Sequence, residues 1–136
     1  MKKIILSIAL ISSALLADIA VIVNPGSGVD ALSAGEVKKI FMAKTKKFPN
    51  GTKVVPIDQN ADNGSYVTFY DKVAGKSPGK MNKYWVKLTF TGKAEAPKKV
   101  GGDGDVVGLI AGNKNMIGYV DAGSVTDAVK VVYTVK

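Results

Sequence analysis

The chain contains no histidine, no cysteine and no arginine. Without the first two, a Cys–His pair, a Ser–His–Asp relay and an ordinary zinc site are excluded. Disulfides are excluded too, so stability has to come from the core. Acids are scarce, and most of the glutamates and aspartates fall in turns. Carboxylate or Ser–Lys chemistry is formally open, but the composition argues against an enzyme, and nothing in it calls for a cofactor. The missing arginine counts against specific reading of nucleic acid, where guanidinium forks to phosphate and guanine are the rule. All 19 basic residues are lysine, and the net charge is +8. That balance suits anionic partners such as solutes, lipid headgroups or surface polymers, and it also serves solubility alone.

Long hydrophobic runs are equally scarce. The longest opens the chain, as MKKIILSIALISSALLAD. Lys2 and Lys3 form a positive start, residues 4–16 an apolar stretch, and Leu15-Leu16-Ala17 a cleavage end, the pattern of a secretory signal peptide. It falls short of the roughly 20 apolar residues of a membrane span, with an uncleaved anchor as the alternative. Cleavage after Ala17 would deliver a periplasmic protein. Residues 18–136 then read as one domain, above the roughly 80 residues below which staples are needed.

Turn signals divide this domain regularly. IAVIV at 19–23 is rich in β-branched residues and suits a strand buried on both faces. Ser33 and Glu36 form a capping box, with Leu32 and Val37 as its hydrophobic staple and Ile40 and Phe41 on the same helical face. KVVPI at 53–57 predicts a short strand, with Pro56 near an edge. Tyr66, Phe69, Tyr70 and Val73 predict a helix stopped by Gly75. Ser77-Pro78 starts another, with Met81, Tyr84, Trp85 and Leu88 as its core face. Residues 94–102 read as a loop, and Asp103 or Asp105 as the cap of a helix ending at Gly112-Asn113. MIGYV at 116–120 and VKVVYTV at 129–135 are the closing strands. The order β-α-β-α-α-α-β-β predicts an α/β fold, an open, mostly parallel sheet with flanking helices. Such sheets bind anions beyond the strands' carboxyl ends, where helices begin.

AVIVNP, LSAGEVKKIFMAKTKKFPNGTKVVPI, NGSYVTFYDKVAGK, YWVKLTFTG and NMIGYV, in that order, resemble the phosphate-type periplasmic binding proteins of ABC importers. The similarity is greatest to short, single-lobe members, and it implies one lobe of a type II periplasmic binding protein. In full-length members an Arg-x-x-x-Ser-Gly-Thr-x-x-x-Phe segment grips phosphate. Aligned on Gly64 and Phe69, this chain has Gln59 for the arginine, Asn63 for the serine and Ser65 for the threonine.

The resemblance therefore implies an anion site built from Gln59, Asn63, Gly64, Ser65 and Tyr66, working mostly through main-chain donors. Losing a charge-assisted contact of the arginine kind costs roughly 2–5 kcal/mol. A micromolar receptor would become a roughly millimolar one. Two readings stay open. In one, a small oxyanion binds weakly or with a partner's help, in transport or sensing beside an ABC importer or sensor. In the other, Asn63 and Gly64 only start a helix, and the chain is a basic module that docks on an anionic surface, on a partner protein or on itself as a homodimer.

Other motifs carry less. The glycines of NPGSG at 24–28 lack a Walker lysine. Asp103-Gly-Asp105 lacks the further ligands of a calcium loop and reads as capping, so no metal is expected. Trp85 and Tyr84 read as core, and Lys44, Lys46, Lys47, Lys98 and Lys99 as solvated loops.

Overall fold

The strand β1 (Ile19–Val23) is apolar and buried at every position. Its side chains alternate between two cores. Ile19, Val21 and Val23 enter one, while Ala20 and Ile22 enter the other. The computed structural model describes residues 18–136, so the expected signal peptide at 1–17 lies outside the described residues.

Along the described chain follow α1 (Ala34–Phe41), β2 (Val55–Asp58), α2 (Gly64–Ala74), α3 (Pro78–Phe90), β3 (Lys98–Lys99), α4 (Asp103–Gly112), β4 (Met116–Asp121) and β5 (Lys130–Val135). The strands form one sheet in the order β3-β2-β4-β1-β5. β2 runs parallel to both β3 and β4, whereas β1 is antiparallel to β4 and to β5. Four strands therefore share one direction, and β1 alone is reversed between two of them. The expected open, mostly parallel sheet is present, with one inverted strand. The short β3 occupies the stretch expected to be loop.

Local caps mark several of the helix ends. At the start of α1, Ser33 Oγ accepts from the Glu36 amide at 3.1 Å, and Glu36 Oε1 accepts from the Ser33 amide at 2.8 Å. Gly75 closes α2 in the left-handed region, at φ 66°. Ser77 caps α3, and Pro78 opens it.

The helices cover both faces of the sheet. α1, α2 and α3 bury Val37, Ile40, Phe41, Phe69, Tyr70, Met81 and Trp85 against one face. Among the described helices only α4, through Val106 and Ile110, covers the other. Its close approach needs Gly118: a Cβ there would stand 2.6 Å from Val106 Cγ1. Trp85 and Tyr84 belong to the core as expected, and the Tyr84 hydroxyl donates to the Met42 carbonyl at 2.7 Å.

The strand registers fix one end of the molecule as the place where elements converge. Ile19, the first residue of β1, pairs with Asp121 and Val135, the last residues of β4 and β5. α2 begins at the same carboxyl end, a few residues after β2 stops.

Candidate functional site

Five residues, 59–63, carry the chain from the end of β2 to the start of α2. Asn63 takes the N-cap position with φ −76° and ψ 140°, but its side chain makes no cap bond. It turns back instead, its Nδ2 donating to the Gly101 carbonyl at 3.1 Å and to Gln59 Oε1 at 3.3 Å. The first bonded amide of the helix is that of Val67, which donates to the Asn63 carbonyl at 3.2 Å. The amides of Gly64, Ser65 and Tyr66 are the donors that helix geometry leaves over. Among the described residues, nothing accepts from them.

Two of these three positions open onto a cleft of about 550 Å³, lined by Ile19, Gly64, Ser65, Thr68, Lys72, Asp103, Asp121 and Lys136. Its charges are mixed. Gly64, Ser65, Thr68 and Lys72 lie along one side of α2 and line the same hollow. Asp103 and Asp121 stand across from them, at the start of α4 and the end of β4. Lys136 completes the rim. The Asp121 carboxylate accepts no hydrogen bond among the described residues.

Asp103 is held firmly. Its Oδ1 accepts from Gln59 Nε2 at 2.8 Å, and its Oδ2 accepts from the Asp121 amide at 3.2 Å and the Ser124 hydroxyl at 2.8 Å. Gln59 also donates to the Tyr119 carbonyl at 2.8 Å and is 1% exposed, so the hydrogen-bonding capacity of its amide is spent inside the protein. Of the five residues singled out from sequence, Gly64 and Ser65 line the cleft. Gln59 and Asn63 stand behind it, bonded to each other. The Tyr66 ring is buried, and burial followed by the charge of Asp58 pushes its hydroxyl up to about 12. The capping expected of Asp103 or Asp105 is done by Asp105, whose Oδ2 accepts from the Gly102 amide at 3.1 Å.

Behind Gln59 lies a buried acid that the sequence reading did not single out. Asp58 is 2% exposed and accepts from the Tyr70 hydroxyl at 2.7 Å, from the Gln59 amide at 3.1 Å and from the Tyr119 hydroxyl. Burial raises its pKa above the ordinary 3.8, opposed by the hydroxyls of Tyr119 and Tyr70, the Gln59 amide and Lys99. Both tyrosines are pushed upward in turn, chiefly by burial and then by the Asp58 charge. The Tyr119 ring stacks on Phe69, with centroids 3.9 Å apart. The cluster ties the end of β2 to α2 and β4 and so sets where the cleft's walls stand.

The remaining sequence motifs have structural work. In NPGSG, Asn24 Nδ2 donates to the Ile110 and Ala111 carbonyls at 2.9 and 3.0 Å, latching the end of α4. A larger hollow, of about 630 Å³, lies at the opposite end of β2, where Lys46, Lys53, Lys93 and Lys98 rim an apolar floor that includes Val54, Val55 and Pro56. It is remote from the start of α2. The missed cleft residues differ in how they could have been found. Thr68 follows Gly64 at i+4, a helical repeat, whereas Asp121 and Lys136 join only through the sheet.

No protein-family model and no curated protein matches the sequence. Solved structures do match in fold. A candidate phosphate ABC transporter substrate-binding protein with bound phosphate, from Clostridium perfringens, is 22% identical over 84% of this chain, with a TM-score of 0.64. An ABC-type phosphate transport receptor from Vibrio cholerae is 18% identical over 86% of the chain, with a TM-score of 0.67. PstS from Borrelia burgdorferi is 17% identical over 84%, with a TM-score of 0.62. This chain spans 43% to 46% of the length of those three proteins. It has the α/β fold of a lobe of such proteins, and at these identities the likeness establishes the fold alone.

Proposed function

We propose that this chain is an exported, non-enzymatic solute-binding lobe. It holds a small oxyanion, phosphate or a close analogue, in the cleft at the start of α2, and serves transport or sensing in the periplasm. The observation that carries this reading is the unpaired main-chain amides of Gly64 and Ser65, opening on a cleft that also receives Lys72 and Lys136. A helix start favours an anion by about 0.3–1 kcal/mol at an exposed end. The fold it shares with phosphate receptors points the same way.

The acidic wall of the cleft sharpens the ligand class. Asp121, with no partner among the described residues, repels a fully deprotonated anion but accepts a hydrogen bond from one that keeps an O–H. Hydrogen phosphate keeps one at neutral pH, and sulfate does not. Without a guanidinium the affinity is roughly millimolar. On this reading a second surface closes the cleft in use: an ABC importer, a sensor or a second copy.

Titration calorimetry with phosphate and with sulfate tests this. Phosphate heat should exceed sulfate heat, and Asp121→Asn should narrow the difference. Silence from both anions below about 10 mM would overturn the reading. The internal engagement of Gln59 and Asn63 favours the second reading in that event, a docking module that has kept the fold and lost the ligand.

A further inference from the structure

The packing of α3 leaves one face over. Met81 and Trp85 are buried, Tyr84 and Leu88 are half-buried beside them, and these four seat the helix on the core. At about 100° per residue, the opposite side presents Lys83, Val86, Lys87 and Phe90. Val86 is 58% exposed and Phe90 89% exposed, one helical turn apart. A single exposed apolar residue is ordinary. What distinguishes this pair is its setting. Between Asp71 and Glu95 the chain carries six lysines and no acid. Lys80, Lys83 and Lys87 flank the apolar pair on α3. Beyond the helix end, Lys46, Lys53, Lys93 and Lys98 rim the 630 Å³ hollow against the single acid Glu95.

We infer that this face docks the protein on an anionic lipid bilayer. Phe90 and Val86 enter the boundary between headgroups and acyl chains, and the lysines rest among the phosphates. Charge and shape select this occupant. A second copy of the chain would bring the same ammonium groups to the same face and be repelled. A nucleic acid or an acidic polysaccharide would satisfy the lysines but offers no hydrocarbon to Phe90. A folded acidic partner would be gripped through fixed geometry, for which arginine forks are suited, and the chain has no arginine. Lysines on flexible stems around one protruding ring suit a fluid, laterally mobile field of charge. No α3 residue lines the cleft at the start of α2, so a docked molecule keeps that cleft open to solute.

Co-sedimentation of the exported protein, residues 18–136, with vesicles tests the inference. One set combines phosphatidylglycerol with phosphatidylcholine, and the other is phosphatidylcholine alone. The chain should bind the first, release with added salt, and ignore the second. Phe90→Ala should lower the partition about tenfold. Lys83→Glu with Lys87→Glu should lower it at least as far and flatten the salt dependence. These sites are exposed, so melting curves should stay put. Val86→Thr provides a second apolar probe if either variant fails that check. Equal binding by Phe90→Ala would overturn the inference, and so would equal binding to neutral vesicles. Retention on heparin without vesicle binding would do the same and point to a soluble polyanion. Failure here leaves the phosphate titration untouched, since neither outcome depends on the other.

Discussion

Asp58 shows how much a single side chain decides in this protein. Its carboxylate lies at the end of β2, bridged to Tyr70 and Tyr119 from two other elements. Tyr119→Phe should cost about 1–3 kcal/mol of stability, because a buried acceptor loses a donor and water cannot replace it. Urea unfolding measures this directly. The raised pKa of Asp58 means that the folded chain holds its proton more tightly than the unfolded chain does. Stability from that proton is fully present below pH 3.8 and fades as pH rises through the raised value. Asp58→Asn cannot titrate, so acidification through that window should shift the stability difference in favour of the parent protein. A flat difference would contradict the assignment. None of this was legible locally. In the sequence Asp58 is only the residue after a short strand, and Gln59 only the stand-in for an arginine. The partner that occupies Gln59, Asp103, lies 44 residues along the chain.

Single elements were far more readable. The capping box of α1, the Ser77-Pro78 start of α3 and the Gly75 stop of α2 are rules written over a few residues, and the structure obeys them. Ser33→Ala should therefore lower stability by about 1 kcal/mol, visible as a drop in melting temperature. The reversed direction of β1 and the two-residue β3 could not be read from periodicity, since neither strand direction nor a pairing that short leaves a local pattern. Gly118 is a third such case. In sequence it is a weakness in a strand, but in the fold it admits α4. Gly118→Ala should cost about 1–3 kcal/mol by forcing Val106 aside, and the loss should be relieved in part by pairing it with Val106→Ala.

For the whole molecule, the decisive fact is where the sheet's carboxyl end puts things. β4, β5, the first residue of β1 and the start of α2 meet there, and Asp121 and Lys136 reach the cleft only because the sheet order brings them. The sequence located the wall made by α2 and missed the wall made by the strand ends. Lys72 and Lys136 bring positive charge to the rim of the cleft, balanced by Asp103 and Asp121 across from them. The described residues build one side of the cleft, so on the proposed reading binding is weak alone and tighter with a closing partner.

The most direct test of the account removes one main-chain donor while leaving the helix start in place. Gly64 is the first residue of α2, a Cβ there meets nothing within 4 Å, and Asn63 before it is already extended. Gly64→Pro is therefore compatible with the helix, since the first helical position tolerates proline and the missing N–H had no internal partner. Phosphate calorimetry on this variant should show a several-fold loss of affinity in a protein that melts no lower than its parent. Unchanged phosphate binding in a fully folded Gly64→Pro protein would contradict the central claim that main-chain donors at the start of α2 hold the anion.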